Sequence, residues 1–256
     1  MRAAKLFGGG GLTIGVGLIA LLAWSAGGAQ AATMTVTLTG FDPSPYSVFS
    51  RSVIDPATNT RITSALMDGG RFVLTPTGGD YQGQFVGEPA IYAFCIEPRE
   101  FVSVGGTYEY DVVGLEYGTT NIGGMGEAKA ELLSELFGRY LPDFSAPISR
   151  LVAGALQIAT WEIVREDSGS LDVYGGDIYF YPGTGENPAG VVALAQSFVT
   201  SIDGTGPKLS NLVALTEIGA QDLITQVQTP EPASTGLIGA GLVLAAIMRR
   251  RKGSIV

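Results

Sequence analysis

The chain has no histidine and a single cysteine among its 256 residues. Without histidine there is no imidazole base, no Ser-His-Asp or Cys-His catalytic set, and none of the commonest metal ligand. Cys95, having no second cysteine, cannot close an internal disulfide. A lone cysteine in an exported protein is either buried and inert or a reactive thiol. Basic residues are scarce too. Of 15 Lys and Arg, six sit at the two ends: Arg2, Lys5, Arg249, Arg250, Arg251 and Lys252. Residues 32–228 then carry 9 basic and 23 acidic side chains, a net charge of −14. Such a surface repels phosphate backbones and argues against nucleic-acid binding. It fits a solvated acidic face, with cation bridging to matrix polymers as the functional alternative.

Long apolar runs are confined to the termini. Arg2 and Lys5 precede a glycine-broken apolar stretch from Leu12 to Trp24, followed by Ala29-Gln30-Ala31. This is the layout of a secretory signal peptide over 1–31, cut after Ala31 by signal peptidase. The short apolar core and the cleavage site favour removal over an uncleaved anchor helix. At the other end Pro230-Glu231-Pro232 leads into an uncharged apolar span over 233–248, closed by Arg249, Arg250, Arg251 and Lys252. Sixteen residues is short for a spanning helix, but tilt, bilayer thinning and snorkelling absorb the deficit. The basic cluster belongs on the cytoplasmic side, with 253–256 as a short cytoplasmic tail, and the body lies outside the inner membrane.

The body, 32–228, reads as one α+β domain. Its β-sandwich or barrel-like sheet carries an inserted helical subdomain of about three helices. Strands are expected at 34–39, 71–75 (ending at Pro76), 91–96 and 107–113, where β-branched and aromatic residues alternate between Gly, Pro, Asn and Asp clusters. Helical spacing marks 127–140, then a long helix over 148–165 entered through Ser145-Ala146-Pro147, and a third over 189–202. A Gly-rich, acidic, aromatic loop is expected over 167–188, and closing strands at 211–216 and 222–227. No internal repeat or long linker divides the body.

Two strings stand out: Phe94-Cys95-Ile96-Glu97-Pro98 on a strand, and Leu156-Gln157-Ile158-Ala159-Thr160-Trp161 on a helix. Taken alone each has a bland reading. Cys95 is then a small buried hydrophobe, Gln157 a helix-surface amide, and Trp161 core. Together they resemble the paired signatures of bacterial thioester domains, a likeness that extends over most of the body. In that family the cysteine sulfur is joined to the glutamine side-chain carbonyl, so the resemblance assigns Cys95 and Gln157 as the thioester pair. Ile158 departs from a position where the family often has a polar residue. No Cys-Gly-Glu-Gln string occurs, which separates the chain from complement-type thioesters.

The resemblance makes physical demands. A thiol that displaces ammonia from a carboxamide needs both partners held on rigid elements, and held geometry contributes roughly 7–11 kcal/mol at best. On a strand, Cys95 points opposite to Phe94 and Ile96, which anchor in the core. Trp161, four residues after Gln157, shares its helix face and is placed to shield the bond from water. Glu97 is a weak candidate for activating the thiol; its bland reading is a solvated strand-end charge. The implied function is covalent capture of an amine or hydroxyl on an extracellular protein or polysaccharide, a single-use step and not turnover catalysis. The alternative is a non-covalent matrix or carbohydrate-binding module with Cys95 inert.

The tail resembles the PEP-CTERM sorting signal in all three parts, Pro230-Glu231-Pro232, apolar span and arginine cluster. The segment through Glu162-Ile163-Val164 resembles one recurrent in exported proteins with such tails. The resemblance implies an exosortase as processing partner, transient residence in the inner membrane, and delivery to the surface or matrix of a Gram-negative bacterium. No cofactor or metal is expected. Asp167, Asp172 and Asp177 do not follow the EF-hand spacing. Tyr174, Tyr179, Phe180 and Tyr181 either rim a groove or pack their loop onto the helix.

Overall fold

The computed structural model describes residues 32–52, 65–98, 100–167, 169–182 and 188–228. The expected signal peptide over 1–31, the expected apolar span over 233–248 and the tail beyond residue 228 lie outside them. In chain order the elements are β1 (Ala32–Phe41), β2 (Tyr46–Ser52), β3 (Ala65–Gly69), β4 (Phe72–Gly79), β5 (Ile91–Cys95), β6 (Thr107–Gly114), α1 (Gly126–Tyr140), α2 (Arg150–Arg165), β7 (Ile178–Pro182), α3 (Pro188–Thr200), β8 (Leu212–Thr216) and β9 (Leu223–Gln226).

Alternation in β1 sends Met34, Val36 and Leu38 inward and its threonines outward. That strand pairs with β4 on one side and β6 on the other, and the antiparallel order β1-β4-β5-β9-β8-β6 closes into a six-stranded barrel. Closure leaves no open sheet edge. β5 is buried on both faces because α1 and the segment after it cover its outside. Phe94 packs against Phe137 at 5.2 Å and edge-on against Phe144 at 5.7 Å between ring centroids.

The excursion between β1 and β4 and the insertion between β6 and β8 meet in a second antiparallel sheet, β3-β2-β7. α2 packs on this sheet, on β5 and on both other helices, and is buried on every side from Ala153 to Arg165. Gly154 has a helix-propensity cost of about 1 kcal/mol, and geometry explains its presence. A Cβ there would come within 2.8 Å of Val191 and 2.9 Å of Tyr46.

The α+β barrel with its helical insertion is the expected architecture. Three local expectations need correction. β4 runs through Pro76 to Gly79, because Pro76 sits beside a register shift at Thr35/Val36 and beyond the last residue paired to β5. The supposed loop over 167–188 contains β7, whose inward residue Phe180 stacks on Trp161 at 6.0 Å while Tyr179 and Tyr181 lie half-buried. α2 is capped by Ser149, whose Oγ accepts from Val152 N at 3.2 Å. Ser145 is instead held by Asp143 in a local turn, through its N–H at 2.8 Å and its hydroxyl at 2.6 Å.

The approach to α2 is fixed by Arg71. Its guanidinium is buried, lies 4.1 Å from the Tyr92 ring centroid, and donates to the carbonyls of Asp42 (2.8 Å), Phe144 (2.8 Å) and Ala146 (2.7 Å). Asp42 Oδ2 lies 3.3 Å away and is largely exposed, so the ion pair itself adds little. Burial pulls the guanidinium pKa below its ordinary value, yet leaves it a cation. Arg71→Ala is expected to destabilise the fold by about 3–5 kcal/mol and Arg71→Lys by about 1–3 kcal/mol, since one ammonium cannot serve three carbonyls. Urea unfolding monitored by tryptophan fluorescence measures both.

Candidate functional site

β5 offers an open backbone position at Cys95. On one edge Ile96 N–H bonds to Asp222 O at 2.9 Å, so Cys95, one residue earlier, turns its N–H and C=O to the opposite edge. There β4 has run out, its last pair with β5 being Phe72 with Ala93. The carboxamide of Gln157 fills the gap. Cys95 N–H donates to Gln157 Oε1 at 2.9 Å, and Gln157 Nε2 donates to Cys95 O at 2.7 Å. One side chain of α2 thus stands in for a paired residue of a neighbouring strand. Gln157 is fully buried. The reading of it as a surface amide is wrong, because the helix has no solvent face at this point.

Cys95 is a buried free thiol. Burial pushes its pKa up to about 12; the Trp161 indole and the main-chain N–H of Glu97 oppose that rise, and the carboxylates of Glu97 and Asp222 add to it. Trp161 Nε1 is buried and makes no hydrogen bond of ordinary geometry. Trp161 and Gln157 lie on one stripe of α2, as their spacing predicts. Phe94 is anchored among Phe137 and Phe144. Glu97 is 2 % exposed, so its reading as a solvated strand-end charge is corrected: it follows directly on Ile96, whose N–H is still bonded to Asp222 O.

The arrangement therefore joins the main chain of the residue that bears the thiol to a buried carboxamide, with the buried Trp161 one turn along the same helix. The N–H to Oε1 bond draws electron density from the amide carbonyl. The high thiol pKa opposes thiolate formation.

Other side chains enter that spacing did not reveal. Asp222 accepts from Thr120 N (2.8 Å), Thr120 Oγ1 (3.1 Å) and Glu217 N (3.1 Å), tying the segment before β9 to the loop before α1; burial raises its pKa. Glu162 is buried and accepts from Asp172 N at 2.8 Å. Of the loop acids, Asp167 pairs with Lys129 at 2.6 Å, Asp172 accepts from Tyr174 N at 3.1 Å, and Asp177 accepts from Asp167 N at 3.1 Å. No group of three acidic or sulfur ligands able to hold a metal occurs among the described residues.

At the C-terminus the comparison with known families is decisive. Residues 228–252 match the PEP-CTERM protein-sorting motif. No curated protein and no solved structure matches the chain. The PEP-CTERM motif contains Pro230, Glu231, Pro232, Arg249, Arg250 and Arg251, and it makes the chain an exported, surface-sorted protein processed by an exosortase. Among the described residues no helix is long and apolar enough to cross a membrane, and the span at 233–248 falls within the PEP-CTERM segment.

Two outcomes follow from the geometry. Gln157→Ala orphans two buried main-chain groups and opens a cavity, so it should cost about 2–5 kcal/mol in urea unfolding; Cys95→Ala keeps both bonds and should cost about 1 kcal/mol. Glu162 has its pKa raised to about 8, chiefly by burial, with Glu166, Asp172 and Asp177 adding to the rise. The folded state holds this proton where the unfolded chain, near roughly 4.3, has lost it. Stability from this group is full below that lower value and is lost as pH rises toward 8. Glu162→Gln should flatten the decline, as read from thermal midpoints between about pH 5 and pH 8.

Proposed function

We propose that Cys95 and Gln157 form an internal γ-glutamyl thioester after export, and that this bond captures a nucleophile on an extracellular protein or polysaccharide. The observation that carries the reading is the reciprocal pair of hydrogen bonds between the Cys95 main chain and the Gln157 carboxamide, at 2.9 and 2.7 Å. They hold an electrophilic carbon against the residue that bears the thiol. In the forming step the sulfur bonds to the carboxamide carbon, the carbon–nitrogen bond breaks, and the thiol proton leaves with nitrogen as ammonia. No cofactor or net base is consumed. In capture, an amine or hydroxyl attacks the same carbon and Cys95 is released as a thiol. Each molecule reacts once, so the protein is an adhesin or crosslinker and not a turnover enzyme.

The PEP-CTERM tail supports the setting: a chain sorted outward by an exosortase meets matrix and envelope polymers. The site of action on this reading is the surface or extracellular matrix of a Gram-negative cell. A second reading is favoured by the same two hydrogen bonds. Gln157 completes the ladder of β5 whether or not it reacts, and a buried thiol with a pKa of about 12 is inert. The protein is then a non-covalent matrix or carbohydrate-binding module.

Intact-mass measurement of the exported protein separates the two. The thioester lowers the mass by one ammonia, and methylamine adds its own mass to that species as an adduct on Gln157 while exposing an alkylatable Cys95. A full mass, with Cys95 alkylated stoichiometrically after unfolding and no methylamine adduct, would leave only the non-covalent module.

A further inference from the structure

We infer that the free edge of β3, with the apolar groove beside it, docks an extended, basic-flanked segment of a partner protein, which adds to β3 as a further strand. The site uses neither Cys95 nor Gln157 and stands whether or not they react. The barrel is closed, so the open sheet edges among the described residues are those of the second sheet, at β3 and β7. β7 ends in Pro182, which has no N–H to offer a further strand. β3 has no proline and no lysine to blunt it. Its main chain pairs with β2 on one side, and no other main-chain hydrogen bond reaches it among the described residues. An edge in that state is a template for strand addition.

The groove has a volume of about 330 Å³. Leu66, Met67 and Asp68 of β3 line it, together with Phe101 and Val104 from the segment after β5 and the indole of Trp161. Leu66 is 55 %, Phe101 75 % and Val104 60 % exposed; these are half of the large hydrophobic side chains left exposed among the described residues. Grouped exposed apolar side chains at a concave site mark binding, where scattered ones do not. The two features suit one kind of ligand. A strand edge bonds to any extended main chain, and an apolar lining along it selects every second side chain of that chain.

Position and charge decide the occupant. Thr33 O accepts from Asp80 N at 2.8 Å and Tyr81 N at 3.3 Å, Gln84 N donates to Tyr81 O at 3.0 Å, and Gln228 N donates to Gln84 O at 2.7 Å. The two ends of the body therefore meet at one end of the barrel. Phe41 and Phe72, paired with each other, place the groove at the opposite end, the length of the ten-residue β1 away, roughly 30 Å. The PEP-CTERM segment starts at residue 228, so the chain enters it far from the groove, and a bilayer that holds it is not what the groove faces. A second copy brings the same surplus of acid, 23 acidic against 9 basic side chains over residues 32–228, and is repelled. A segment flanked by arginine or lysine is attracted. The one charge in the groove lining among the described residues is Asp68, whose Oδ1 accepts from Ser47 Oγ at 2.8 Å.

The test titrates the exported protein with the peptide acetyl-Arg-Val-Gln-Val-Gln-Val-Arg-amide, which carries no amine or hydroxyl for a thioester to capture. Tryptophan fluorescence reads binding and hydrogen exchange reads the β3 amides. The expected result is saturable binding of one peptide per protein with slowed exchange at β3. Successive residues of a strand turn their N–H groups to opposite edges. N-methylation of either the valines or the glutamines, whichever set meets β3, should therefore weaken binding roughly tenfold or more, and methylation of the other set should leave it unchanged. Phe101→Ser and Leu66→Lys, both on exposed positions, should each weaken it roughly tenfold. Replacing both arginines of the peptide by glutamate should weaken it too, more so at low salt. No saturable binding, equal binding of both methylated peptides, no effect of Phe101→Ser, or preference for the glutamate peptide each overturns the proposal. A dimer seen by sedimentation that Leu66→Lys dissociates, in a protein that takes no peptide, overturns it in favour of a second copy at the same edge.

Discussion

The two hydrogen bonds between the Cys95 main chain and the Gln157 carboxamide join the barrel to the helix at the centre of the molecule. They exist because β4 stops one step short of Cys95 and leaves an N–H and a C=O facing the interior. Two buried main-chain groups without partners cost about 1–3 kcal/mol each, so some group has to satisfy them. A carboxamide, with one donor and one acceptor in a plane, is the side chain that copies a peptide. Glutamine on α2 follows from that need. So does the burial of α2 on every side, since its polar residue finds partners inside instead of in water.

The rest of the architecture keeps this junction rigid. Phe94, Phe137 and Phe144 lock the outer face of β5 to α1. The second sheet brings Phe180 onto Trp161, so the indole is stacked from one side. Arg71 gathers three carbonyls from the loop after β1 and the turn before α2, and so sets where the helix begins. None of these residues meets the thiol, yet each limits how far α2 slides past β5.

Much of this was legible in the sequence, for reasons that differ by residue. β1 announced itself by strict alternation at Met34, Val36 and Leu38, and α2 by its apolar spacing. Cys95 and Gln157 could be paired only through a resemblance, since no periodicity joins a strand to a helix 62 residues on. β7 was missed because glycines and acids around Ile178-Tyr179-Phe180-Tyr181 read as a loop; its strand character comes from pairing with β2, a tertiary fact. Pro76 misled for a similar reason: proline ends a strand only when its missing N–H faces a partner. The burial of Glu97, Glu162 and Gln157 was hidden as well. Polar side chains are assigned to the surface by composition, and only the packed structure reveals that the surface lies elsewhere.

Burial sets two opposing demands at the junction. Burial lifts the Cys95 thiol toward a pKa of about 12, which on the proposed reading slows its attack on the amide. The same burial protects a thioester, once formed, from the hydrolysis that would waste it. On the proposed reading the first cost falls once per molecule, during or after folding, when there is time for a slow step. The protection acts for as long as the bond awaits a partner. On the proposed thioester reading, an exported single-use linker gains more from a long-lived bond than from a fast-forming one. A buried thiol in a chain without histidine suits that order of priorities better than an exposed, low-pKa cysteine of the catalytic type.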